Sequence, residues 1–301
     1  MNKMQPNFLI LGPPKCASSS LHFYLSQHPE VFMSKVKETN FFTRDYEKGI
    51  EFYKSYFSQA TKEKAIGEST PSYSFLPFAA DRIQKHYPDM KLILCFRNPV
   101  ERAFSNWLML WDAGVEKATF REALEINLKQ MEYVSFDGEQ GANIWNNRVH
   151  NIDKGEKWVR MYIQAGMYSE ILKVYFQRFK RENIKYIFME DFKSDFDASI
   201  QSIYRFIGVD DSFQVPVKEE QNYYYNRKLY RSLNRIIGIK SVRFISGVLP
   251  KEFRNSLKQK KNKVKKTITI SSQDKSFAAH IYRNEIEELE KLLNKNLDHW
   301  K

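Results

Sequence analysis

Short apolar runs punctuate this chain, each closed by turn residues and followed by a stretch with helical spacing. Phe8-Leu9-Ile10-Leu11 is the first. It reads as a buried strand, stopped by the turn signal Gly12-Pro13-Pro14. A helix is expected over 17–27, loop over 30–48, and a short aromatic helix over 50–58. Ala65-Ile66-Gly67 reads as a short strand, 78–87 as helix, 91–96 as strand and 99–113 as helix. Further on, 119–133 is helical and 135–160 is polar and irregular. Residues 167–180 place Ile171, Leu172, Tyr175, Phe176 and Phe179 on one amphipathic face. A last strand is expected over 185–189, and the helix 195–207 ends at Gly208. Residues 215–275 carry the least pattern and are expected to wrap around or cap a site. Strands alternating with helices imply a parallel sheet. The expected fold is α/β: a central parallel sheet flanked by helices, in a single domain over 1–301.

Two strand ends carry chemistry. After the first strand come Lys15 and the hydroxyl run Ser18-Ser19-Ser20, at the start of a helix. The first-turn amides and the helix dipole favour an anion there, and a lysine adds a mobile positive charge. The loop is P-loop-like but departs from a nucleoside-triphosphatase loop. Only Pro13 and Pro14 separate Gly12 from Lys15, and Cys16 follows the lysine. A dinucleotide fingerprint needs more glycines than this loop has. Plain capping serines are the alternative. After the strand at 91–96, Arg97 precedes Asn98-Pro99, which suits a helix start. Ser105 lies about two turns on. An arginine fork and a hydroxyl of this kind clasp a phosphate; an Arg97–Glu101 surface pair is the alternative.

These segments resemble the sulfotransferase family, which takes its sulfuryl group from 3′-phosphoadenosine 5′-phosphosulfate (PAPS). Pro14-Lys15-Cys16-Ala17-Ser18-Ser19-Ser20-Leu21 looks like the family's 5′-phosphosulfate loop. Arg97-Asn98-Pro99-Val100-Glu101-Arg102-Ala103-Phe104-Ser105 looks like its 3′-phosphate motif. Lys37-Glu38-Thr39-Asn40-Phe41-Phe42 and Gly67-Glu68-Ser69-Thr70-Pro71-Ser72-Tyr73 are similar to segments of the branch holding heparan-sulfate and many bacterial members. The closing EIEELEKLLNKNLDHW resembles the family's last helix and tryptophan. Two departures stand out. Ala17 replaces the usual glycine, so its backbone must adopt an angle that a Cβ tolerates. Ser69 stands where the heparan-sulfate enzymes often carry lysine, which argues against a heparan-type acceptor.

The resemblance implies an in-line sulfuryl transfer with adenosine 3′,5′-bisphosphate as product. Lys15 would meet the bridging oxygen. The amides of Cys16, Ala17, Ser18, Ser19 and Ser20, with the Ser18 and Ser19 hydroxyls, would hold the 5′-phosphate, while Ser20 alternatively caps the helix. Arg97 and Ser105 would hold the 3′-phosphate. Glu38 is the first candidate base, Lys37 its neighbour at the sulfuryl group, and Glu68 the second candidate. Tyr168, in Gly166-Met167-Tyr168, matches a recurrent glycine-x-tyrosine and is expected to approach the nucleotide or to pack in the core.

Composition adds the rest. The net charge is +12, which invites anionic partners. PAPS accounts for part of it, and LKQKKNKVKK at 257–266 for much of the excess. No nucleic-acid motif is recognised. The two cysteines, Cys16 and Cys95, form no disulfide framework, and no metal-ligand spacing exists. No apolar run is long enough to span a membrane, and the N-terminal stretch lacks a signal-peptide layout, so a cytoplasmic enzyme is expected. The acceptor is expected to be a small molecule or glycan, met by Trp145, Arg148 and His150, the last also an open candidate base. A nucleotide kinase, or a basic binding protein on a dead version of the fold, are the competing classes.

Overall fold

A computed structural model describes residues 5–151, 159–218 and 268–301. Five strands, β1 (Phe8–Ile10), β2 (Val31–Met33), β3 (Ala65–Ser69), β4 (Lys91–Phe96) and β5 (Ile184–Phe188), form one sheet. Its order is β2-β3-β1-β4-β5, and every pair is parallel. The helices are α1 (Ser18–Leu25), α2 (Ile50–Ser55), α3 (Pro77–His86), α4 (Pro99–Ala113), α5 (Phe120–Met131), α6 (Gly138–Asn151), α7 (Tyr168–Phe176), α8 (Met189–Ser194), α9 (Phe196–Ile207) and α10 (Ser272–Leu293).

Because side chains alternate along a strand, the apolar runs supply two cores. Phe8, Ile10, Ile93 and Cys95 pack with Leu21, Tyr24 and Leu25 of α1 and with Ile200, Ile203 and Tyr204 of α9. Leu9, Leu11, Leu92, Leu94 and Phe96 face the other way, onto Val100, Ala103 and Trp107 of α4, Leu172 of α7 and Tyr282 of α10. Burial on both faces explains why these strands read as unbroken apolar runs rather than as alternating ones.

The structure departs from the sequence expectation in several places: β3 runs on to Ser69, Met189 starts α8 instead of ending a strand, α10 begins at Ser272 inside the expected capping segment, and two further elements fall where none was expected. β2 lies within the stretch expected as loop. Its three residues are too few to show a period, and its pairing with β3 supplies the backbone hydrogen bonds. α6 lies within the stretch expected as irregular, where Ala142 and Trp145, three residues apart, bury one side of an otherwise polar helix. Most of the expected capping segment 215–275, and all of the basic run 257–266, lie outside the described residues. No helix among the described residues is long and apolar enough to cross a membrane.

Gly67 shows how closely the central strands are packed. A Cβ there would stand 2.5 Å from the Phe8 carbonyl oxygen and 2.7 Å from the Phe8 ring. Backbone cannot yield as a flexible side chain does. Gly67→Ala is therefore expected to destabilise the fold by about 2 kcal/mol or more, measured by urea denaturation; a change within about 0.5 kcal/mol would show that the pairing of β1 with β3 is looser than described.

Candidate active site

In a parallel sheet, loops gather at the carboxyl ends of the strands, and a crevice opens where neighbouring loops leave for opposite faces. β1 and β4 are such neighbours, with Ile10 opposite Ile93. The loop after β1 leads to α1 on one face, and the loop after β4 leads to α4 on the other. Lys15 and Arg97 stand on these two loops.

The first loop turns tightly. The Cys16 amide donates to the Pro13 carbonyl at 3.2 Å, and both Lys15 (φ 77°) and Ala17 (φ 62°) adopt left-handed backbone. Ala17 thus takes the conformation a glycine would adopt freely, at a strain of about 1–2 kcal/mol. It is the residue before α1 and supplies no side-chain cap. The first-turn amides of a helix have no intrahelical acceptor, and the dipole is positive at this end. Ser18 is buried, and Lys15, Ser19 and Ser20 are half-buried. Burial pushes the Cys16 thiol up to about 11, so it is no nucleophile at neutral pH.

The second loop is set by Asn98, whose side chain accepts from the amides of Val100 and Glu101 and caps α4. Arg97 donates through Nε and Nη2 to Glu101 Oε2, at 3.2 and 2.9 Å. The surface pair considered from sequence is thus present, but Glu101 is exposed. A pair of this kind on one helix contributes only about 0.3–0.5 kcal/mol and yields readily to a phosphate. Ser105 is half-buried on the same helix.

Tyr168 links the two loops. Its ring is fully buried and stacks on Phe96 at 4.5 Å. Its hydroxyl donates to the Arg97 carbonyl at 2.8 Å and lies 3.8 Å from Cys16 Sγ. Of the two readings open for Tyr168, the structure shows core packing: the ring is enclosed by protein and has no face left for a nucleotide.

The Lys37–Glu38 segment docks on the same edge. The Glu38 amide donates to the Ser69 carbonyl at 3.2 Å, and Ser69 Oγ donates to the Ser18 carbonyl at 3.4 Å. Ser69 therefore ties β3 to α1. Glu38 (φ 62°) and Asn40 (φ 52°) are again left-handed. Lys37 Nζ lies 3.3 Å from Glu38 Oε1. Burial, and next the Lys37 charge, push His22 of α1 down to about 4.

The two glutamates differ in environment. The Glu38 side chain is 49% exposed, and Glu68 is 0% exposed. Glu68 accepts from Thr70 Oγ1 at 2.7 Å, Thr39 Oγ1 at 3.1 Å and the Tyr53 hydroxyl at 3.5 Å. Burial raises its pKa to about 7, against the lowering effect of the Thr70 and Thr39 hydroxyls. Enclosed in this way, Glu68 faces its own loops rather than an acceptor. Trp145, expected at the acceptor, is also in the core, packed between Phe75 and Phe136 at 6.0 and 6.3 Å; its apolar ring closes α6 onto the protein. The side chains of Arg148 and His150 lie outside the described residues. Sequence reasoning missed Glu190, and gave the closing Trp300 no role at the site; both hold the Asn98 turn. Only the Asn-Pro helix start was visible locally.

The Glu68 network gives a pH signature. Its folded pKa of about 7 stands above the ordinary 4.5, so the carboxyl's contribution is fully present below about pH 4.5 and is lost as pH rises through 7. Glu68→Gln carries no such titration. Its stability relative to the parent is expected to rise by up to about 3 kcal/mol between pH 4.5 and 8, read from denaturation midpoints across that range; a flat difference contradicts the assigned environment.

Comparison with known proteins agrees with this geometry. Residues 5–269 match the family described as Sulfotransferase domain. The chain is 39% identical over 105 residues to membrane-associated sulfotransferase kil1 of Dictyostelium discoideum, covering 34% of this chain and 22% of that protein. It is 24% identical over 263 residues to carbohydrate sulfotransferase 15 of Mus musculus (72% and 45%) and 25% identical over 226 residues to heparan sulfate glucosamine 3-O-sulfotransferase 3B1 of Mus musculus (75% and 50%). The chain thus spans half or less of the length of these relatives. The crystal structure of a sulfotransferase from Alicyclobacillus acidocaldarius shares the fold, with a TM-score of 0.68 at 24% identity over 99% of each chain. With the family match running through both anion loops and most of the sequence between and beyond them, the chain belongs to the sulfotransferase family.

Proposed function

We propose that this protein transfers a sulfuryl group from PAPS to a hydroxyl or amine of a glycan or small molecule, with a glycan hydroxyl favoured. The observation that carries the proposal is the placing of two anion-binding loops at the ends of adjacent strands, Lys15 with the α1 amides on one and Arg97 with Ser105 on the other. Family membership supports the donor, and the names of the carbohydrate relatives support a glycan acceptor. The absence of a lysine at position 69 still separates this chain from the heparan-type pattern.

The residues present fit the donor. A helix start to which Ala17 gives no side-chain cap receives a 5′-phosphate, and an arginine paired with an exposed glutamate is available to a 3′-phosphate. PAPS supplies the sulfuryl group and the leaving phosphate. Lys15 places its ammonium at the oxygen where charge develops as the product departs. The amides of residues 16–20 and the Ser18 and Ser19 hydroxyls hold the 5′ end, while Arg97 and Ser105 hold the 3′ end. Anchoring at both ends fixes one approach for the acceptor. Glu38, exposed at the crevice, takes the acceptor proton, and Lys37 beside it steadies the sulfuryl oxygens. Glu68 orders the Thr39 loop that carries them.

Calorimetry with adenosine 3′,5′-bisphosphate and with ATP tests the reading, together with labelled PAPS and glycans extracted from the source organism. The bisphosphate is expected to bind at least about tenfold more tightly than ATP. Lys15→Ala is expected to lower transfer about 100-fold or more with an unchanged melting temperature. A preference for ATP would favour a kinase, and near-parental transfer by Lys15→Ala would remove that residue from the chemistry.

A further inference from the structure

The peptide unit joining Arg97 to Asn98 is gripped at both ends. Its carbonyl accepts from the Tyr168 hydroxyl at 2.8 Å. Its N–H donates to Glu190 Oε1 at 3.1 Å, and the same oxygen accepts from Trp300 Nε1 at 3.3 Å. Asn98 Nδ2 donates to the Trp300 carbonyl at 3.3 Å. The Trp300 indole is 2% exposed and packs on Phe188 at 5.4 Å and on Tyr168 at 6.0 Å. Trp300 therefore contacts both groups that hold this one peptide. A peptide unit is planar, so fixing its carbonyl and its N–H fixes its orientation. The direction in which the Arg97 side chain leaves the backbone follows from that.

The Arg97 side chain itself has a weak hold. It pairs with Glu101, which is exposed, and such a pair exchanges easily. The precision of the guanidinium comes from the backbone beneath it. An arginine fork discriminates by angle as well as by charge, so a peptide free to rotate would blunt its selectivity.

Resting on the reading of Arg97 and Ser105 as 3′-phosphate ligands, we propose that Glu190 and Trp300 are positioning residues that make this site selective for a nucleotide carrying a 3′-phosphate. They touch neither donor nor acceptor. They hold the Arg97–Asn98 peptide so that the guanidinium meets the 3′-phosphate, and they leave the 5′ end to the Lys15 loop.

Calorimetry compares adenosine 3′,5′-bisphosphate with adenosine 5′-monophosphate on the full chain. The ratio of the two dissociation constants isolates the 3′-phosphate. Glu190→Ala and Trp300→Phe are expected to weaken bisphosphate binding by about fivefold to tenfold and monophosphate binding by less than about twofold. Trp300→Phe keeps an aromatic ring in the core and removes the indole donor together with the volume of the fused ring. Glu190→Gln keeps an acceptor oxygen and is expected to hold the ratio within about twofold of the parent. Melting temperatures identify a variant that fails to fold, and Glu190, only half-buried, then serves as the test without disturbance of the core. An unchanged ratio in Glu190→Ala, or an equal loss for both nucleotides, overturns the clamp. A parent protein that binds the two nucleotides alike overturns the 3′-phosphate reading itself, and is recognisable because it does so before any substitution.

Discussion

The site depends on one topological constraint: the helices after β1 and β4 lie on opposite faces of the sheet. These strands are hydrogen-bonded neighbours, so their loops start side by side and diverge. The opening between them cannot be filled by either loop without undoing the packing of α1 or α4. Everything proposed to touch the donor hangs on that opening. The apolar alternation of Phe8, Leu9 and Ile10 with Ile93, Leu94 and Cys95 is therefore a functional feature as much as a stabilising one. It decides which face each helix covers.

Rigidity at the opening comes from polar groups that are themselves enclosed. Tyr168 joins the two loops from below, and Glu68 gathers Thr39, Thr70 and Tyr53 under the loop bearing Lys37 and Glu38. Buried polar networks of this kind are costly unless satisfied; here each carboxylate oxygen of Glu68 has a hydroxyl partner. Four of the five non-glycine residues with positive φ among the described residues, Lys15, Ala17, Glu38 and Asn40, lie in these loops. Strain gathered at one edge of the sheet is what pre-organised sites exhibit, and the networks beneath oppose its release.

The sequence was legible where chemistry is local. Phe8-Leu9-Ile10 and Leu92 to Phe96 read as strands because both faces are covered, and Lys15 and Arg97 fell at strand ends because the turn residues mark them. Asn98-Pro99 announced α4 through its cap. What escaped was set by partners distant along the chain. β2 is a strand only because β3 lies beside it. Trp145 resembled an exposed ligand contact because its helix is mostly polar, and the ring is claimed by Phe75 and Phe136. Glu190 and Trp300 meet across 110 positions, and no spacing rule reaches that far. Glu68 could be placed at the edge but not assigned its role, since only its enclosure distinguishes it from Glu38.

A crystal structure of the protein with adenosine 3′,5′-bisphosphate tests the central claim most directly. The account predicts the 5′-phosphate within about 3 Å of the amides of residues 16–20 and of Lys15 Nζ, with Arg97 released from Glu101 onto the 3′-phosphate beside Ser105. A nucleotide bound away from the ends of β1 and β4, or an Arg97 still paired with Glu101 while the 3′-phosphate lies in solvent, would contradict it.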